Sequence, residues 1–138
     1  MTSLILGSEA ISVIARASKG DPRARPVLAA LQAALEVEND VVAPAAVLAE
    51  QYRGGGHDHL VDACLSRYSA IEVADTTRAL AKGVSNILSR AGLGSAHHVE
   101  ATVVAGAVRE GGGLIMTSDP EDIETLATGF VGVSVHAL

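Results

Sequence analysis

The sequence predicts an α/β fold, a three-layer α/β/α arrangement around a central, mainly parallel sheet of about five strands. Short runs of branched apolar residues recur along the chain: LIL ending at Leu6, VVA ending at Ala43, IEV ending at Val73, LIM ending at Met116 and VGVSV ending at Val135. Between them lie longer stretches with apolar residues at helical spacing, and strands that alternate with helices form a mainly parallel sheet covered on both faces. About half of the residues are hydrophobic, mostly Ala, Val, Leu and Ile, which suits helices packed closely on a Val- and Ile-rich sheet.

Ser3 to Leu6 is the first strand, and Ala10, Ile11, Val13 and Ile14 give the helix after it. Lys19-Gly20-Asp21-Pro22 breaks that helix. A second helix runs from about Arg23 to Glu38, with Val27, Leu28, Leu31 and Leu35 on one face. Asp40 to Ala43 is a short strand, and Pro44 suits the first turn of a helix that carries Val47, Leu48 and Glu50 and stops at Gly54-Gly55-Gly56. A helix from about His57 to Arg67 leads to a strand over Ile71 to Ala74. Asp75 is a plausible N-cap for a long helix reaching Ala91, where Gly92 and Gly94 stop it. Ser95 is placed to cap the next helix, whose Val99, Val103, Val104 and Val108 point inward until Gly111-Gly112-Gly113. Leu114 to Thr117 is a strand, Ser118 or Asp119 caps a short helix from Pro120, and Val131 to Val135 closes the sheet.

A chain of 138 residues is one domain of ordinary size, residues 1–138, long enough to bury a core without staples. Tyr52, Tyr68 and Phe130 are the only Phe, Tyr or Trp rings, which argues against a base-stacking platform. The lone Cys64 rules out an internal disulfide and a Cys-rich zinc cage, and its apolar helical face reads as an inert core thiol. Neither a basic secretory n-region nor an apolar run of roughly 18 residues is visible, so the expectation is a soluble cytoplasmic protein without a membrane partner. The net charge of −6 argues against broad electrostatic affinity for nucleic acid, though a cation held among the acids would offset it locally. Arg16, Lys19, Arg23 and Arg25 near the first loop are either a solvated helix end or phosphate contacts.

The chemistry concentrates in acids. In a parallel α/β sheet ligands gather outside the carboxyl ends of the strands. Asp119 follows the strand LIMT, Glu50 closes VVAPAAVLAE, and Glu100 sits among Val99, Val103 and Val104, a face on which a carboxylate is costly unless paired or bound to metal. With Asp122, these form a candidate pocket for Mg²⁺ or Mn²⁺, since hard cations take oxygen ligands whereas zinc prefers nitrogen and sulfur. The first strand ends instead at Gly7, where the pattern would want a carboxylate. Glu9 is two residues displaced, and its better role is favourable charge at a helix N-terminus.

These features resemble the PIN-domain family, and more narrowly the small VapC-like toxins of bacterial toxin–antitoxin operons. The resemblance covers essentially the whole chain and is carried by LILGSEAISVIA, APAAVLAEQYRG, HHVEATVVAGAVREGG and LIMTSDPEDIETLA. It implies a PIN-like fold and Mg²⁺- or Mn²⁺-dependent endoribonuclease action leaving a 3′-hydroxyl and a 5′-phosphate. It also implies a protein antitoxin and a homodimer. Carried across, Glu50 matches the family's second acid, Glu100 replaces its third with one extra methylene, and Asp119 matches its fourth, with Asp122 auxiliary. Gly7 stands where the first Asp belongs, and Ser8 keeps the small hydroxyl residue that follows it.

Other readings stay open at this point. Without its first acid the chain could be a catalytically inactive pseudo-nuclease, kept as an RNA- or antitoxin-binding module; a receiver- or flavodoxin-like domain fits the alternation but not the order of the acids. Arg53 matches a Glu-x-x-Arg tendency and would steady Glu50, contact phosphate or simply end a helix. His97 lies one turn before Glu100 and could border the pocket, or be an ordinary boundary histidine. His98 faces elsewhere, and His57, His59 and His136 look unremarkable, the first two in a mobile loop. The triple glycines lack the lysine and hydroxyl of a phosphate-binding loop.

Overall fold

A computed structural model describes residues 2–17 and 20–138, so the helix break expected at Lys19, and that side chain's phosphate contact, lie outside the described residues. The element order is β1 (Ser3–Leu6), α1 (Ser8–Ala15), α2 (Ala24–Glu36), β2 (Val41–Pro44), α3 (Ala45–Gln51), α4 (Gly55–Arg67), β3 (Ile71–Ala74), α5 (Arg78–Ala91), a 3₁₀ turn (Ser95–His97), α6 (His98–Arg109), β4 (Gly113–Thr117), α7 (Pro120–Ala127) and β5 (Val133–Ala137). The five strands form one sheet in the order β3-β2-β1-β4-β5, with every pairing parallel. The α/β/α expectation holds.

The strand order fixes where a site can lie. From β1 the chain steps one way through β2 to β3, then crosses back to place β4 on the other side of β1. That reversal opens a crevice outside the carboxyl ends of β1 and β4, the place where open α/β sheets bind ligands. Both strands are anchored deeply, with Ile5, Leu6, Ile115 and Met116 at 0–1% exposure. Helix α6 is the central covering helix and buries Ala101, Val103, Val104, Ala105 and Ala107. Its small residues let neighbours approach: a Cβ on Gly106 would sit 3.8 Å from Pro44, and one on Gly83 would sit 4.0 Å from Ala105.

Several local expectations shift, each for a physical reason. Helix α2 buries Ala24, Val27, Leu31 and Ala34, which leaves Leu35 exposed. The long helix α5 is capped by the Thr77 hydroxyl, which accepts from the Leu80 amide at 3.1 Å, and not by Asp75; Gly92 closes it in the left-handed conformation as expected. Ser95 opens a 3₁₀ turn and makes no side-chain cap bond. Helix α3 ends at Gln51, before the first glycine triplet, and Gly55 and Gly56 instead open α4. The Asp58 carboxylate accepts there from the Arg53 and Gly54 amides, at 2.7 and 2.8 Å. His57 and His59 therefore belong to α4 and not to a loop. The last strand begins two residues late, because its register is set by β4, Gly113 lying opposite Val133. Val108 turns outward, unlike its neighbours Val103 and Val104.

Candidate metal centre

Gly7, Ser8, Glu9, Glu50, Glu100 and Asp119 line one small cavity of about 40 Å³ at the crevice between β1 and β4. Each acid arrives on a different element. Glu50 comes from the last turn of α3, Glu100 from the first turn of α6, and Asp119 from the loop between β4 and α7. That loop is shaped by the Thr117 hydroxyl, which accepts from the Asp119 amide at 3.0 Å. On the opposite side the Ser8 hydroxyl donates to the Glu50 carboxylate, tying α3 to the start of α1. These oxygen donors suit a hard divalent cation.

Gly7 is in an extended conformation, φ −76° and ψ 177°, which any residue can adopt. Backbone strain is therefore no reason for glycine here. The constraint is contact: the Gly7 amide donates to the Met116 carbonyl at 3.0 Å, and a Cβ built on Gly7 would lie 3.0 Å from that same oxygen. Such an approach is tight, and β4 would have to give by a few tenths of an ångström. Glu9, the nearest substitute, is held by cations. Arg23 approaches its carboxylate at 3.1 Å and Arg16 at 3.9 Å. Arg23 also grips Asp21 at 2.9 Å, and this guanidinium holds the Asp21 carboxyl below the usual carboxylate range. Arg16 and Arg23 are thus engaged by acids, with Arg16 also donating to the Ser12 hydroxyl at 2.7 Å.

Arg53 does not touch the Glu50 carboxylate; its Nε donates to the Glu50 main-chain carbonyl at 2.8 Å, closing the end of α3. The Tyr52 hydroxyl donates to Asp62 at 2.7 Å, and this carboxylate pushes the phenol up to about 12. Cys64 is buried, and burial pushes its thiol up to about 11, in line with an inert core residue.

Asp122 stands apart from Glu50. It lies in the first turn of α7 and faces His97 and Glu100. Among the described residues, one group of three potential ligand side chains brings its donor atoms within 4.8 Å of one another, namely His97, Glu100 and Asp122. The spacing of His97 from Glu100 is visible in the sequence, but its meeting with Asp122 depends on how α7 docks on α6. A second concavity, apolar and about 580 Å³, lies away from the acids between α5 and α6 and is lined by Gly83, Ile87, Ala105, Val108, Arg90 and Phe130 among others. Arg90 stacks over the Phe130 ring there at 4.9 Å.

No family model matches the sequence, and no curated protein matches it. Among solved structures, one chain of VapBC2 from Rickettsia felis, bound to a DNA fragment from its promoter, superposes with a TM-score of 0.62. The match covers 99% of this chain and 99% of that one, at 16% sequence identity. The fold is PIN-like. At this identity the likeness speaks for the fold and leaves the chemistry to the residues. Among the described residues no helix is long and apolar enough to cross a membrane.

Proposed function

We propose that this chain is a cytoplasmic, divalent-metal-dependent endoribonuclease of VapC-like type, restrained by an antitoxin protein and acting as a homodimer. The observation that carries the reading is the convergence of Glu50, Glu100 and Asp119 on one cavity at the switch point of a VapC-like fold. The chemistry that a bound Mg²⁺ or Mn²⁺ supplies is polarisation of a scissile phosphate and activation of water. Glu50, Glu100 and Asp119 would hold it, with Asp122 auxiliary. Ser8 holds the Glu50 carboxylate toward the end of β1, and Thr117 fixes the turn that presents Asp119. The antitoxin draws support from the partnered, promoter-bound state of the Rickettsia felis neighbour. The homodimer draws support from the outward-facing Val108 beside the apolar cleft on α5 and α6.

Gly7 favours a second reading, a pseudo-nuclease that binds RNA or antitoxin without cutting. The first carboxylate is missing, and Glu9 is tied to Arg23. One experiment separates the two. Purified protein is incubated with a generic structured RNA and Mn²⁺, beside Glu50→Gln and an EDTA control. Metal-dependent cleavage that is lost in Glu50→Gln supports the nuclease. Cleavage equal in both proteins would mean that Glu50 has no part in it, and RNA binding without cleavage would favour the pseudo-nuclease.

A further inference from the structure

We infer that His97, Glu100 and Asp122 form a mixed nitrogen–oxygen site for a borderline transition cation such as Zn²⁺ or Co²⁺, beside the all-oxygen set and sharing Glu100 with it. His97 ends the 3₁₀ turn and Glu100 occupies the next turn, so spacing of three residues brings both side chains to one face. Helix α7 then delivers Asp122 from its own first turn. The His97 Nδ1 lies 3.8 Å from the Asp122 carboxylate, and the three donor atoms all fall within 4.8 Å of one another. Two atoms bound to one ion at about 2.0–2.2 Å each lie roughly 3–4 Å apart, so small side-chain rotations close the site.

A second observation points the same way. Nδ1 of His97 is buried and, among the described residues, has no hydrogen-bond partner, although its side chain as a whole is 29% exposed. Buried polar atoms are nearly always satisfied, and a ring nitrogen facing the Asp122 carboxylate, with Glu100 in the same group, would in its unprotonated tautomer present a lone pair to a cation. At 3.8 Å the contact with Asp122 is too long to be a hydrogen bond. Imidazole ligation shifts preference away from Mg²⁺ and toward zinc, cobalt and nickel, because these softer ions gain from a nitrogen donor. The inference goes beyond the nuclease reading and does not need RNA to be cut.

The test is titration of the whole chain with Co²⁺, followed by its visible bands, and with Zn²⁺ and Mg²⁺ by calorimetry. Wild type should bind Zn²⁺ and Co²⁺ at least about tenfold more tightly than Mg²⁺. His97→Ala and the bulkier His97→Gln should each weaken Co²⁺ and Zn²⁺ by roughly 10- to 100-fold while leaving Mg²⁺ binding unchanged, the losses being at least those felt when outer-shell partners are removed. Glu50→Gln, which tests the nuclease reading, should leave the Co²⁺ bands intact. His57→Ala/His59→Ala should also retain them. Co²⁺ binding that survives both His97 substitutions, or that is lost with His57 and His59, would overturn the assignment. Circular dichroism of each variant separates loss of the site from loss of the fold.

Discussion

The two walls of the acidic crevice differ in what holds their carboxylates. On the α1–α3 wall, Glu50 is exposed and answered by a neutral hydroxyl, Ser8, beside a glycine where an acid was expected. On the α6–α7 wall, Glu100 and Asp122 are half-buried and converge with an imidazole. The first wall offers a cation fewer donors than the second, where, among the described residues, the buried His97 Nδ1 has no hydrogen-bond partner. The difference teaches that a crevice lacking one carboxylate still gathers potential metal donors on its other wall. On the inferred site that wall mixes a nitrogen with its oxygens, and such a donor set would suit a different ion from the all-oxygen one.

Glu100 is shared by the two donor sets, lining the cavity with Glu50 and Asp119 and meeting His97 and Asp122, so its substitution should have the largest effect. A metal present at about 100 times its Kd stabilises the folded chain by about 2.7 kcal/mol, and a hundredfold weakening leaves only about 0.4 kcal/mol of that. Thermal melts with Mn²⁺ and with Zn²⁺ should therefore both lose most of their upward shift in Glu100→Gln. Asp119→Asn should lose only the Mn²⁺ shift. A Glu100→Gln protein that responds to both ions like wild type would place the metal elsewhere and dissolve the comparison.

Gly7→Asp should restore the poorer wall. The extended backbone accepts aspartate without left-handed strain, and the position opens on the cavity that Glu50 and Asp119 line. We expect Mg²⁺ affinity and metal-dependent RNA cleavage to rise by about 10- to 100-fold, the scale on which changes around a metal are felt. The 3.0 Å approach of the new Cβ to the Met116 carbonyl should cost about 1 kcal/mol of stability, within the usual range for a crowded core change. A folded Gly7→Asp protein with unchanged Mg²⁺ affinity would show that Gly7 is not a vacated ligand position.

Legibility followed the range of the forces involved. The strands and their mainly parallel arrangement were readable, because hydrophobic periodicity and chain alternation are local, whereas the order β3-β2-β1-β4-β5 rests on long-range pairing. Capping was half readable. Gly92 declared itself, but Asp75 competed with Thr77 over two residues, and only the register of the first turn decides such a contest. The outward turn of Val108 and the burial of Ala34 in place of Leu35 depend on helix rotation, which an Ala-rich helix leaves poorly specified. The His97–Asp122 contact was not legible at all, since it joins residues on two helices through the way they dock.

The smallest expected effect comes from Ser8→Ala, and it tests whether the α1–α3 wall is organised by that hydroxyl. Ser8 donates to Glu50 across a gap of 42 residues in sequence, so the bond holds α3 to the start of α1. Hydrogen bonds to charged groups contribute about 1.5–3 kcal/mol when sheltered, but Glu50 is exposed and water replaces much of the loss. A fall of roughly threefold to tenfold in metal-dependent cleavage is therefore expected, through misorientation of the carboxylate and not through loss of a ligand. Zn²⁺ and Co²⁺ binding should not move, because His97, Glu100 and Asp122 lie on the other wall. Ser8→Thr, which keeps the hydroxyl, should restore cleavage. If Ser8→Ala weakened Co²⁺ binding as much as it weakened cleavage, the two walls would be one site, and the division drawn between them would be wrong.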